Sequence, residues 1–526
     1  MRILTNARIY TLDPRQPHAA EIVLKDGLIQ WVGNQQTSTT RSAAEIIDLE
    51  GRFILPGLID AHIHLQKYAQ NLAKVNCETP SKDLCLAKIH QRARTAPPGN
   101  WILGHGWNHN TWSGEYGTAR ELDSITPDHP VYLTAKSLHA AWVNSKALEQ
   151  AGIHSTTPDP PGGKISRDDQ GKPDGILFEN AMRLIEDSLP RPSLEETAEN
   201  IYQAQVNLWK LGITGVHDYD RQLCFSALQH LRAQNRLKLR VLKQIQYDQL
   251  SEAVDLGLRS GFGDPFLKIG GVKIFSDGAL GPQTAAMLEP YQNQPGNYGM
   301  LLWTQEDLDQ AVEKAITSGF PLTIHAIGDR ANRVALNSLE KARETEKELG
   351  LPAYRHRIEH VQLLHPDDLH RLGKLALTAS MQPVHAPSDR TMADQHWGER
   401  ARYAYAWKSQ LDNQAVLAFG SDAPVESPNP FYGLHAAVTR RCRDGKPRSR
   451  GWIPEERLTI QEAVRAYTQG AAYAAGWEHQ AGKLSSGYWG DLIVLDKDPF
   501  TLDPDQIYDL LPSATMVAGE FVWRSF

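Results

Sequence analysis

The sequence predicts an α/β fold: a (β/α)8 TIM-like barrel joined to a small β-sandwich built from both chain ends. Three observations carry this expectation. Eight apolar, strand-like runs recur through the middle of the chain, separated by amphipathic helical patterns. The two ends alternate apolar and polar residues with Gly and Asp punctuation, the texture of antiparallel strands. Residues able to do chemistry gather near the C-terminal ends of the runs, the face on which barrel active sites lie. A doubly wound sheet can also hold eight strands, so the repeat alone does not choose the barrel.

The chain begins with "RILTNARIYTLD" and "AEIVLKDGLIQWVG", with Asp26-Gly27 as a hairpin turn. It ends with "GKLSSGYWGDLIVLD" and "ATMVAGEFVWRS". These distant segments are expected to pair, so that residues 1–55 and 475–526 form the two parts of one sandwich around a barrel over 56–474. The barrel strands are read from "RFILPGLIDAHIH", "GITGVHDYD", "LKLRVLKQIQY", "FLKIGGVKIFSDG", "FPLTIHAIGD", "RHRIEHVQLL", "LALTASMQPVH" and "AVLAFGSDAP". A typical intervening helix is "TQEDLDQAVEKAITSG", with Thr304 as N-cap and Asp307 three residues later. Residues 66 to about 205 break the repeat with Gly/Pro-rich stretches and strand signals of their own, which predicts an inserted subdomain after the first strand.

Composition narrows the function classes. With 526 residues, 41% hydrophobic, the chain can bury a large core. The net charge of −7 comes with no basic stretch, so no nucleic-acid partner is expected. No apolar run approaches the ~20 residues of a membrane span. The start lacks the apolar core of a secretory signal. The four cysteines, Cys77, Cys85, Cys224 and Cys442, form no CxxC pair, so neither a disulfide framework nor a cysteine zinc site is expected and a cytoplasmic location fits.

"PGLIDAHIHL" places His62 and His64 at i and i+2, on one face of a strand leaving the core. Two imidazoles aimed at one point suggest a transition-metal site, although the dipeptide spacing alone is a weak signal. Further along, Lys273 closes the fourth run, His325 the fifth, His360 the sixth, and Asp422 the eighth. A single strand-end His is more often a hydrogen-bonded structural residue, and an Asp after Gly-Ser is often a turn residue. Their coincidence on separate strands is harder to dismiss.

The pattern resembles the amidohydrolase superfamily of metal-dependent hydrolases, and within it the YtcJ-like branch that includes N-substituted formamide deformylases. The resemblance runs through "GHGWNHNTW", "HAAWVNSKAL", "GILFENA", "VKIFSDGALG", "HAIGDRA", "RHRIEHVQ", "MQPVH" and "FGSDAPVESPNPF". It departs at Pro282-Gln283, where many relatives carry a small residue and an arginine, and at Gly490, where alanine is more usual. The resemblance implies that His62, His64, Lys273, His325, His360 and Asp422 hold one or two divalent ions, zinc first among them. It implies a carboxylated lysine at Lys273; the plainer alternative is a lysine paired with Asp277 or Asp422. It also implies hydrolysis by metal-activated hydroxide, with Asp422 as the catalytic general base.

His139, Trp107 and His385 are read as substrate-contacting residues. Asp329 is expected to cap the helix after "HAIGD", His217 to bond with Asp218 or Tyr219, and Arg357 and Glu359 to face away from His360 by strand alternation. The expected reaction is hydrolysis of a non-peptide C–N bond, a linear N-acyl or N-formyl amide. The alternatives are a mononuclear deaminase of a ring amine and a barrel that binds without catalysis. The expected partner is a small-molecule substrate, with no nucleic acid, no membrane, and a homo-oligomer allowed.

Overall fold

A computed structural model describes residues 1–34, 44–109, 112, 116–135, 140–447 and 450–526. The chain divides into two compact units, one of Met1–Tyr68 with Ile201–Phe526 and one of Ala69–Asn200.

The first unit holds an eight-stranded parallel sheet whose strands neighbour one another in chain order. They are β1 (Leu58–Ile63), β2 (Ile213–Asp218), β3 (Arg240–Gln246), β4 (Leu267–Phe275), β5 (Leu322–Ala326), β6 (Arg357–His360), β7 (Thr378–Met381) and β8 (Val416–Phe419). Each lies within one of the eight runs read from the sequence. Most are buried along their whole length, as in "LTIHA", because a parallel barrel strand is covered on both faces. The barrel closes just beyond β8, where a parallel bridge joins Ile63 to Ala423. Asp422 N–H donates to the His62 carbonyl at 2.7 Å, and His64 N–H donates to the Ala423 carbonyl at 2.9 Å.

The helix Gln305–Thr317 shows why the outer layer forms. Thr304 caps it by accepting from Asp307 N, and it buries Leu308, Ala311, Val312, Ala315 and Ile316, one stripe at i, i+3, i+4, i+7 and i+8. Full burial of each Leu, Val or Ile contributes about 1.5–3 kcal/mol. These side chains enter the main core with Ile274, Leu322 and Ile324 of the strands.

The sandwich consists of two sheets. One orders Leu28–Gly33, Glu21–Lys25, Arg2–Thr5 and Glu45–Asp48. The other places Leu492–Leu495 against Phe53–Pro56 in antiparallel register, Leu495 opposite Phe53, and so ties the two ends of the chain. The Asp26-Gly27 turn has positive φ at both residues, 52° and 80°, as a two-residue type I′ hairpin needs.

The second unit, Ala69–Asn200, carries a six-stranded mixed sheet running from Gly163–Arg167 to Val75–Asn76. Trp107, Trp112 and Trp142 pack in its core with Cys77 and Cys85. Among the described residues no helix is long and apolar enough to cross a membrane.

Candidate metal centre

The strand-end residues of the first unit surround one cavity of about 370 Å³. His62, His64, Lys273, His325, His360, His385 and Asp422 line it, with Phe275, Leu280, Ile327 and Val425 as its apolar wall. His62 Nε2 and His64 Nε2 lie 3.5 and 3.6 Å from Asp422 Oδ1. The ring of His360 is centred 4.9 Å from that of His62 and 4.6 Å from that of His325. Asp60, the first residue of the alternating triplet, does not join the cluster. Its carboxylate accepts from Ser421 Oγ at 2.5 Å and from the amides of His62 and Ser421, which pins the loop bearing Asp422 to β1.

Each of four imidazoles has one nitrogen committed to an oxygen of the protein. His62 Nδ1 meets Glu359 at 2.6 Å, and His64 Nδ1 meets Asp220 at 3.2 Å. His325 Nε2 meets the Gly278 carbonyl at 2.9 Å, and His360 Nδ1 meets Gln382 Oε1 at 2.9 Å. Carboxylate, carbonyl and amide oxygens can only accept, so these nitrogens carry the protons. In a neutral ring the opposite nitrogen keeps a lone pair. Burial, followed by the charge of Lys273, holds His62 well below the ordinary histidine value and His325 at about 3. Burial and then His325 do the same for His360. These rings are neutral, the form a metal requires. Burial raises the Asp422 carboxyl above the usual carboxylate range.

Lys273 is 1% exposed, and its Nζ has no hydrogen-bond partner among the described residues. It lies over the rings of Tyr219 and Phe275 at 4.6 and 4.8 Å. Burial lowers it to about 8, against partial opposition from Glu359 and Asp422. The plain ion pair with Asp277 does not form, because that carboxylate instead accepts from the amides of Ala286, Ile327 and Gly328. An orphaned amine beside four imidazoles and a carboxylate fits a site for a divalent cation better than it fits a finished hydrogen-bond network.

Sequence alternation misplaced part of β6. Arg357 and Glu359 point into the barrel, where Arg357 donates to the Ala61 carbonyl at 2.6 Å, Ser380 Oγ at 2.5 Å and His217 Nδ1 at 2.7 Å. Tyr219 donates to Glu359 at 2.8 Å, and its ring stacks on His62 with centroids 4.0 Å apart. His360 reaches the same interior because its φ of 75° turns the chain at the strand end. Two smaller expectations also change. His217 engages Arg357 rather than Asp218 or Tyr219. Asp329 is the first residue of the helix Asp329–Glu348, with Gly328 as N-cap, and accepts from Leu288 N at 2.8 Å.

Trp107 lies in the core of the second unit, its indole N–H on the Leu133 carbonyl at 2.8 Å. His139 falls outside the described residues. The residues that hold three of the imidazoles, Glu359, Asp220 and Gln382, were missed as such. Their only signal is that "RIEH", "HDYD" and "MQPVH" place an acceptor beside a candidate site residue or strand end.

A second group of ligand-type residues, Asp218, Asp220 and Cys224, lies nearby in the first unit. Its centre is taken by Lys243, whose Nζ donates to Asp218 Oδ2 at 2.7 Å and to the Asp220 carbonyl. Leu65 N donates to the other oxygen of Asp218 at 2.9 Å.

The sequence profile of the amidohydrolase family matches residues 45–523. The chain belongs to the amidohydrolase family. This amidohydrolase is 32% identical to "Putative amidohydrolase YtcJ" of Bacillus subtilis over 98% of each chain. It is 28% identical to the N-substituted formamide deformylase of Arthrobacter pascens over 98% of this chain and 97% of the relative. Among solved structures, an uncharacterized metal-dependent hydrolase from Pyrococcus furiosus superposes with a TM-score of 0.78 at 29% identity, covering 95% of this chain and 100% of that one. The amidohydrolase is a metal-dependent hydrolase acting on carbon–nitrogen bonds.

Proposed function

We propose that this amidohydrolase cleaves a non-peptide C–N bond in a small linear amide, an N-acyl or N-formyl amine. One observation carries the reading. Four imidazoles, three buried and that of His64 half-buried, each with one nitrogen already committed, surround an unpartnered lysine and a carboxylate in a cavity with an apolar wall. The full-length similarity to an N-substituted formamide deformylase supports the choice of a linear amide.

In this reading His62, His64, Lys273, His325, His360 and Asp422 hold one or two divalent ions, zinc being the first to test because imidazole and carboxylate suit it. A cation so held would lower the pKa of water from 15.7 to about 7 and would polarise a carbonyl oxygen. Burial keeps Lys273 close to its neutral amine, the form that adds carbon dioxide to give a carbamate and release a proton. Asp422 is the general base: burial raises its proton affinity, so it takes a proton from water and returns it to the leaving amine nitrogen. Phe275, Leu280 and Ile327 receive the apolar part of the substrate. The ring-amine alternative gains nothing from Asp329, whose carboxylate is already engaged by the amides of Leu288 and Arg330.

The test is elemental analysis of the purified protein, followed by a screen of N-formyl and N-acyl amines with free amine as the readout. Metal bound by the chain and amine released from at least one such amide are expected. A protein that cannot be loaded with metal, or that releases only ammonia from aminated rings, would contradict the reading.

A further inference from the structure

We infer that His385 is a catalytic residue that donates a hydrogen bond from Nε2 to the carbonyl oxygen of the scissile amide; this rests on the amide-hydrolase reading above. His385 opens the helix His385–Trp397, which follows β7 on the face where the metal-binding strand ends converge. It is 6% exposed and lines the same cavity as His62, His360 and Asp422. Its Nε2 is buried and has no hydrogen-bond partner among the described residues. A ring nitrogen of His385 lies within 4.8 Å of ligand atoms of both His360 and Asp422.

Buried polar atoms without partners are uncommon in folded chains, and one in a cavity wall calls for an occupant. The four imidazoles assigned to the metal differ from His385 in a specific way. Each is held by an acceptor that orients it as a ligand and leaves a lone pair outward. Among the described residues no carboxylate or amide oxygen holds His385 Nε2 in that fashion, and His62, His64 and His360 already stand around Asp422 without it. Asp422 belongs to both clusters, the one with His62 and His64 and the one with His360 and His385. A carbonyl carbon attacked beside Asp422 therefore has His385 within reach of its oxygen. That oxygen gains negative charge as the tetrahedral species forms, and a pre-placed N–H stabilises it more than it stabilises the ground state. The hydrogen bond moves no proton and breaks no bond.

The experiment compares His385→Leu and His385→Gln with the wild-type, metal-loaded enzyme. It reads metal per chain, kcat and KM on an N-acyl amine, and the affinity for methylphosphonate as a tetrahedral oxyanion mimic. For His385→Leu we expect unchanged metal content, kcat lowered roughly 100-fold or more, and KM changed by less than about threefold. Methylphosphonate affinity should drop about tenfold or more, and His385→Gln, which keeps a side-chain N–H, should restore a substantial part of both losses. Loss of metal from His385→Leu would make the residue a ligand and overturn the inference. So would a kcat within about threefold of wild type together with unchanged methylphosphonate affinity. If the wild-type enzyme turns over no N-acyl or N-formyl amine, the functional reading falls, and methylphosphonate binding alone then decides the role of His385.

Discussion

Two buried lysines on neighbouring strands of the barrel have opposite fates. Lys243 on β3 is 3% exposed and Lys273 on β4 is 1% exposed. Burial works against the charge of both. At Lys243, Asp218, Cys224 and Asp220 together outweigh it, and the ammonium is held above the ordinary lysine value. At Lys273, Glu359 and Asp422 fall short, and the amine drops to about 8. Lys243 fills a pocket of acceptors, whereas Lys273 faces a cavity with its nitrogen unpartnered. The contrast teaches that a buried lysine among ligand-type residues is not in itself a sign of a site. The hydrogen-bond account decides: a closed account marks a structural strut, and an open one marks a place for something else.

The comparison can be broken at its open side first. Lys273→Met and Asp422→Asn are expected to lower kcat/KM by about 10²–10⁴-fold while circular dichroism of the metal-free protein stays near wild type. An equally active Lys273→Met would make the two lysines equivalent. On the closed side, Lys243→Met leaves Asp218 buried and unpaired. It is expected to cost about 3–5 kcal/mol in urea unfolding, with activity per folded molecule retained. Glu359→Gln weakens the oxygen that orients His62, and a chelator competition should show metal affinity reduced about 10–100-fold.

Alkaline pH should separate the lysines by sign. In the metal-free chain the unfolded state holds more protons than the folded one between about 8 and 10.5, because Lys273 is lowered when folded. Its contribution therefore raises stability as pH climbs through that window, and Lys273→Met should flatten the rise. Lys243 acts the other way. Its contribution is complete below 10.5 and is lost as pH rises through its elevated folded value. Urea midpoints measured across this range check both. The smallest effect belongs to an exposed control, the Arg221–Asp248 pair at 2.8 Å, where Arg221→Ala should change stability by at most about 1 kcal/mol.

Much of the architecture was legible because it follows from apolar periodicity. The eight barrel strands and the pairing of the two chain ends need only runs of buried residues and turn punctuation. The gathering of His62, His64, Lys273, His325, His360 and Asp422 was legible once parallel strands are assumed, since their C-terminal ends share a face. What was not legible depends on single backbone angles and on contacts across the barrel. Alternation assigns Glu359 and His360 to opposite faces. The φ of 75° at His360 defeats that rule and brings both toward His62. Nothing in "HDYD" reveals that Asp220 orients His64 while Asp218 binds Lys243, because those partners arrive from β1 and β3.

Asp422 hangs by its amide from the carbonyl of His62, where the last strand of the barrel meets the first. Translation delivers His62 early and Asp422 late, so a nascent chain displays two imidazoles long before the carboxylate 3.5 and 3.6 Å from them exists. The proposed metal site is therefore a property of the finished polypeptide. A chain released from the ribosome before β8 lacks both Asp422 and the bridge from Ala423 to Ile63 that closes the barrel, however well its earlier strands have assembled.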